Sequence, residues 1–192
     1  MNTRKDVKKV LVLLGSPRKK GNSAILAGCI AKGAKSAGAK VETLFIQGMK
    51  IAPCKSCYAC QKPNSTGCAI QDDMQSIYKK LLEADAWVIA SPVYWFTMSA
   101  QTKLWMDRCF ALLTRAEEAF VNKRIAIAMT YGDTDPFKSG CVNALRTFQD
   151  AYGYVKASIV GVVYGSAMEA GEIKDNDELL KEAEELGRKL VA

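Results

Sequence analysis

LLGSPRKKGNSAIL (residues 13–26) joins an apolar run to a helix-like pattern through a turn rich in hydrogen-bond donors and positive charge. The run that leads into it, VLVLLG at 10–15, is apolar nearly throughout, as a strand covered on both faces reads. A strand that feeds a helix through a short turn is one β-α unit. Four more strands follow: VETLFI (41–46), AWVIAS (86–91), RIAIAMT (124–130) and SIVGVVYG (158–165). Helical patterns lie at about 23–38, 72–84, 99–115, 139–152 and 177–191. In the last, apolar residues at 179, 180, 183, 186, 190 and 191 share one face, with Asp177 at its start. Five β-α units predict a doubly wound α/β fold: a five-stranded parallel sheet with helices on both faces. Such sheets bind ligands beyond the carboxyl ends of their strands, so the turns after strands one, three and four are the informative ones.

A length of 192 residues fits a single domain spanning 1–192. One segment, about 47–71, is long for a βα connection and reads as a functional insertion. No run approaches the ~20 apolar residues of a membrane span, and the basic N-terminus followed by a short strand does not read as a signal peptide. A cytoplasmic location is the expectation.

The net charge of +7 is local. Residues 1–20 hold seven Lys/Arg and one acid, a net of +6, which leaves +1 for the rest. A basic end of this kind suits a small anion rather than a nucleic acid. Histidine is absent. That excludes a Ser-His-Asp triad, a Cys-His pair and His-ligated zinc or iron.

The first turn reads as a phosphate cradle. A helix N-terminus offers free N–H groups and partial positive charge. Ser16, Asn22 and Ser23 can add side-chain donors, Arg18 a charged fork, and Gly21 a close turn. The spacing is neither a Walker A loop nor G-x-G-x-x-G, and a phosphomonoester suits it better than a triphosphate. A plain solvated turn with Ser23 as N-cap is the competing reading. Pro92, Tyr94, Trp95 and Phe96 lie beyond the end of the third strand, where aromatic rings can stack on a flat ligand or fill a subunit contact. The residues after them, Leu104, Trp105 and Met106, read as structural.

Four of seven cysteines, Cys54, Cys57, Cys60 and Cys68, follow C-x2-C-x2-C-x7-C inside the long loop. Steps of three let successive thiolates wrap one centre, and the fourth can return to close it. A [4Fe–4S] cluster, a structural zinc and free reactive thiols all remain open readings. Cys29, Cys109 and Cys141 lie in helical patterns and read as buried thiols.

GSPRKKGNS, the cysteine loop ending in QDDM, and SPVYWFTMSAQTKLWMDR occur in that order. Together they resemble the NAD(P)H-dependent FMN reductases and, within them, the iron–sulfur flavoproteins. The resemblance covers roughly residues 8–135. It implies a flavodoxin-like form of the sheet. It implies that Ser16, Arg18, Asn22 and Ser23 hold the FMN phosphate, that residues 92–96 run along the isoalloxazine, and that Tyr131, Gly132 and Asp133 of the fourth turn contribute. It also raises the [4Fe–4S] reading of the four cysteines. The implied activity is electron transfer through FMN, with NAD(P)H or a ferredoxin-like protein as donor, in a homodimer or homotetramer. The alternatives are a cluster-free NAD(P)H:FMN or quinone reductase, and a zinc-stabilised module that binds a phosphorylated ligand.

Overall fold

Leu11 and Leu13 of β1 (Lys9–Leu14) enter one hydrophobic core, while Val10, Val12 and Leu14 enter a second on the opposite face. This alternation is what a strand's period of two produces when both faces are covered. The computed structural model describes residues 7–192. Arg4, Lys5 and Asp6 of the basic end lie outside the described residues.

Beside β1 lie β2 (Lys40–Phe45), β3 (Ala86–Tyr94), a two-residue β4 (Thr97–Met98), β5 (Arg124–Tyr131) and β6 (Ser158–Ser166). The parallel path runs β2-β1-β3-β5-β6, and β4 pairs antiparallel with the end of β3. The five long strands thus take the flavodoxin-like order, with the direction of winding reversing between β1 and β3. Register is set by pairs such as Leu13↔Leu44 and Leu13↔Ile89.

Helices α1 (Asn22–Ser36) and α6 (Asp177–Val191) cover one face through Leu26, Ile30, Leu186 and Leu190. Helices α2 (Met74–Glu83), α3 (Ala100–Arg108) and α5 (Cys141–Tyr154) cover the other through Ile77, Trp105 and Phe148. Trp105 is fully buried, while Leu104 and Met106 on either side of it are half-buried. The single helix expected at 99–115 ends at Arg108 and continues as a 3₁₀ stretch, Cys109–Arg115, before the short α4 (Ala116–Ala119). Asn176 caps α6 by accepting from the Leu179 N–H at 3.0 Å, and the helix begins at Asp177 as the sequence predicts.

Candidate functional site

The corner after β1 sits at the point where the sheet reverses, the usual crevice for a ligand in this architecture. Two bonds fix its floor. Gly15 donates its N–H to Ala90 O (2.8 Å), and Ser99 Oγ donates to Gly15 O (2.6 Å). A Cβ on Gly15 would lie 1.9 Å from Thr102 Oγ1, so the strand end meets α3 only because this residue has no side chain. Ser99 caps α3 through the Thr102 N–H (3.2 Å) and takes part in a buried hydroxyl group with Ser91 and Thr102.

The turn itself closes through Arg18 N–H to Ser16 Oγ (3.0 Å) and Gly21 N–H to Arg18 O (3.0 Å). Gly21 is extended before α1, and no side chain among the described residues caps that helix. The first-turn N–H groups of α1 therefore lack the partners that helix geometry denies them. Ser16 and Ser23 are buried, whereas Arg18, Lys19 and Lys20 are exposed, and α1 has no acid in its first turn. The charges within the turn, Arg18, Lys19 and Lys20, are all positive.

Asn22 departs from the expectation. Its side chain points to the far segment after β6, where Nδ2 donates to Glu169 O (2.7 Å) and Ala167 O (3.3 Å). Its Oδ1 accepts from the Gly171 N–H at 2.8 Å. Both side-chain hydrogens are thus engaged, and only the main-chain N–H of Asn22 remains for a ligand. No sequence signal announces this tie, because its partners lie 145 and more positions away.

Pro92, Val93 and Tyr94 continue β3 rather than following it. Val93↔Met98 and Tyr94↔Thr97 pair to form a hairpin with Trp95 and Phe96 at its tip. Both tip residues have positive φ (47° and 65°), as a type I′ turn requires and as bulky residues rarely adopt. Strain of this kind persists only where its surroundings impose it. Here Asn143 Nδ2 donates to Phe96 O (3.1 Å), and Gly140 (φ 79°) packs beneath, where a Cβ would lie 2.4 Å from that same oxygen. The hairpin is held, yet Trp95 is 91% exposed, with its ring edge-on to Phe96 at 5.9 Å.

At the β5 turn, Tyr131 is buried, which pushes its phenol pKa up, and its ring lies 6.4 Å from that of Tyr164. Gly132 is exposed beside Met168. Asp133 spends its carboxylate locally: Oδ1 accepts from the Thr134 N–H (2.6 Å) and the Asp135 N–H (3.2 Å). These main-chain donors hold its pKa below the usual carboxylate value.

Cys54, Cys57, Cys60 and Cys68 line one cavity of about 600 Å³, with Met106, Phe110 and Tyr152 on its other walls. Cys54 and Cys57 are exposed, Cys68 is half-buried and Cys60 is buried. Among the described residues, no three acidic or thiol side chains stand close enough to hold a metal ion. Ser56 and Tyr58, on either side of Cys57, both have positive φ (51° and 54°). The loop's base is closed by the two acids of QDDM: Asp73 accepts from the Lys50 N–H (2.7 Å) and Asp72 from the Ala52 N–H (2.9 Å).

Arg108, which the sequence reading passed over, sits at the centre of that base. Its guanidinium forks onto Asp72 at 2.6 and 3.1 Å and reaches Ala52 O (2.7 Å) and Cys68 Sγ (3.4 Å). The available signal was spacing. Thr102, Trp105 and Arg108 recur every third residue on one buried face of α3, and a charge on such a face needs a partner.

The fold is that of a doubly wound α/β protein, with the β1–α1 corner at the β1–β3 reversal. The chain belongs to the NADPH-dependent FMN reductase family, which it matches over residues 8–170. It is 33% identical over 147 residues to an iron–sulfur flavoprotein of Methanosarcina thermophila, covering 77% of this chain and 75% of that one. An iron–sulfur flavoprotein of Archaeoglobus fulgidus is 31% identical, covering 95% and 79%. Among solved structures, an NAD(P)H:quinone oxidoreductase from Methanothermobacter marburgensis superposes with a TM-score of 0.70 at 18% identity, over 96% of this chain and 97% of that one. An FMN-dependent NADH-azoreductase from Bacillus anthracis, solved with FMN, does so at 0.71 and 14%, over 97% and 100%. At those identities the likeness speaks for the flavodoxin-like fold.

Proposed function

We propose that this chain is an FMN-dependent electron-transfer oxidoreductase that binds the flavin phosphate at the Ser16–Ser23 corner. One observation carries the assignment: an uncapped helix N-terminus at the sheet's reversal, with buried Ser16 and Ser23 beside it, exposed Arg18, Lys19 and Lys20 in its turn, and no acid in the first turn of α1. A dianionic phosphate answers these features. The main-chain N–H groups from Asn22 onward, the hydroxyls of Ser16 and Ser23, and the Arg18 guanidinium hold it. Pro92, Val93 and Tyr94 line the ring, and Trp95 and Phe96 at the strained tip close over it or meet a second subunit. Tyr131 and Gly132 flank its far side. Asp133, bound to its own loop, orders that loop instead of touching the ligand.

FMN supplies the redox chemistry when bound, accepting hydride from NAD(P)H or single electrons from a ferredoxin-like donor. The chain needs no histidine for this. Its residues anchor, orient and exclude water.

The four cysteines fit a [4Fe–4S] cluster by donor type and by their shared cavity. To hold one, Cys54, Cys57, Cys60 and Cys68 must come closer together. The iron–sulfur naming of the relatives supports this reading over a cluster-free reductase. A single domain with the 47–71 insertion, assembled as a homodimer or homotetramer through the exposed hairpin and located in the cytoplasm, completes the proposal. Among the described residues, no helix is long and apolar enough to cross a membrane.

The test is anaerobic purification with flavin, iron, sulfide and zinc measured on one sample. Flavin with about four irons and four sulfides per chain is the expected result. Flavin without iron selects the cluster-free reductase, and zinc without flavin selects the binding module.

A further inference from the structure

Arg108 is among the largest side chains to be fully enclosed, and its charged group has no exposure. Burying a guanidinium is costly even when it is paired, and an apolar residue of similar size often serves stability as well. The burial is also imperfect, because Nε lacks a partner among the described residues. Stability alone is therefore a poor reason for an arginine here. Its contacts suggest another.

One guanidinium joins both sides of the cysteine loop. Nη1 donates to Ala52 O at 2.7 Å, two residues before Cys54. Nη2 donates to Cys68 Sγ at 3.4 Å, at the loop's last thiol, and grazes Ile70 O at 3.5 Å. Asp72 fixes the fork from below while accepting the main-chain N–H groups of Ala52 and Met74. Tyr78 fixes the backbone, donating its hydroxyl to Arg108 O at 2.9 Å. Lysine would supply the charge without the planar fork that spans these acceptors. From Arg108, α3 runs back to Ser99, the residue bonded to Gly15 at the phosphate corner.

We propose that Arg108 is a positioning residue that clamps the two ends of the cysteine loop together at its base and sets the reduction potential of the centre bound there, through its N–H···S bond to Cys68. The inference rests on the reading of the four cysteines as one ligand set. Hydrogen bonds to ligand sulfurs are among the factors that set such potentials. Adding one electron makes the thiolate-bound centre more negative. A donor aimed at its sulfur stabilises that state more than the oxidised one, so the potential rises. Asp72 acts on the clamp alone, since it touches no thiol.

Two measurements on the full chain test this. The first is digestion of metal-free protein by trypsin, read by mass spectrometry at Lys55 and Lys62, the two lysines inside the loop. The second is the midpoint potential after anaerobic reconstitution with iron and sulfide, titrated with dithionite. Arg108→Lys is expected to speed cleavage several-fold and to move the midpoint to more negative values. Asp72→Asn is expected to speed cleavage without a negative shift. If Arg108→Lys does not fold, the pair R108M/D72N removes the donor and the buried charge together, and the Arg108→Lys expectations apply to it. Wild-type cleavage and wild-type potential in the arginine variant would overturn the proposal. If wild-type protein takes up no iron, the ligand-set reading fails and the tuning role falls with it, while the cleavage rates still decide the clamp.

Discussion

Ser99 Oγ lies 2.6 Å from the carbonyl oxygen of Gly15, 84 positions earlier in the chain. The bond ties the end of β1 to the start of α3, and so links the corner to the segment that follows the aromatic hairpin. Ser99→Ala removes this bond and the α3 cap together. A lost cap costs about 0.5–2 kcal/mol, and a buried carbonyl left unpaired adds roughly 1–3 kcal/mol. Urea denaturation is expected to show a lower midpoint with an unchanged slope, and FMN titration a weaker affinity. Unchanged values in both would detach Ser99 from the site.

Gly140→Ala tests the hairpin seat. The added methyl would stand 2.4 Å from Phe96 O at a backbone φ of 79°, where alanine is strained. A destabilisation of about 1–3 kcal/mol is expected in the same denaturation assay. Trp95 fluorescence should shift as the tip is displaced. An unperturbed tip would mean that something other than α5 imposes its strain.

Acid should open the cysteine loop. Partial burial pushes the Asp72 pKa up, but the bonds from Arg108 and from the Ala52 and Met74 N–H groups outweigh it and hold the carboxyl below its ordinary 3.8. A depressed native pKa means that this stabilisation is complete above the unfolded value and is lost as pH falls through the folded one. Pepsin, which works in that range, is expected to cut within residues 52–72 faster as pH drops below about 4. In Asp72→Asn that acceleration should vanish. Its persistence would place the acid-sensitive group elsewhere.

Arg18→Ala should weaken FMN binding by about 1–3 kcal/mol, the range for a hydrogen bond to a charged group. Riboflavin, which lacks the phosphate, should bind wild type and variant alike. Equal losses for both ligands would move Arg18 away from the phosphate.

Three of the parallel strands, β1, β3 and β5, were legible as near-continuous apolar runs and were placed to within a few residues of their ends. The cysteine loop declared itself by its spacing. The hairpin tip did not, because Trp95-Phe96 carries none of the Asn-Gly chemistry that marks a two-residue turn. Its positive φ values are imposed by Gly140 and Asn143, which arrive from another helix. The engagement of the Asn22 side chain was illegible for the same reason. That side chain is claimed by residues 167–173, and a local pattern cannot report a distant partner. Arg108 was hidden because its charge suggests an exposed helix position, although its spacing places it on the face of Thr102 and Trp105.

The most direct measurement is the crystal structure of the protein grown with FMN. The phosphate should lie at the N-terminus of α1, within hydrogen-bond distance of Ser16, Ser23 and the main-chain N–H of Asn22, with the ring alongside residues 92–96. FMN bound at any other place, with that helix end left to solvent, would contradict the assignment.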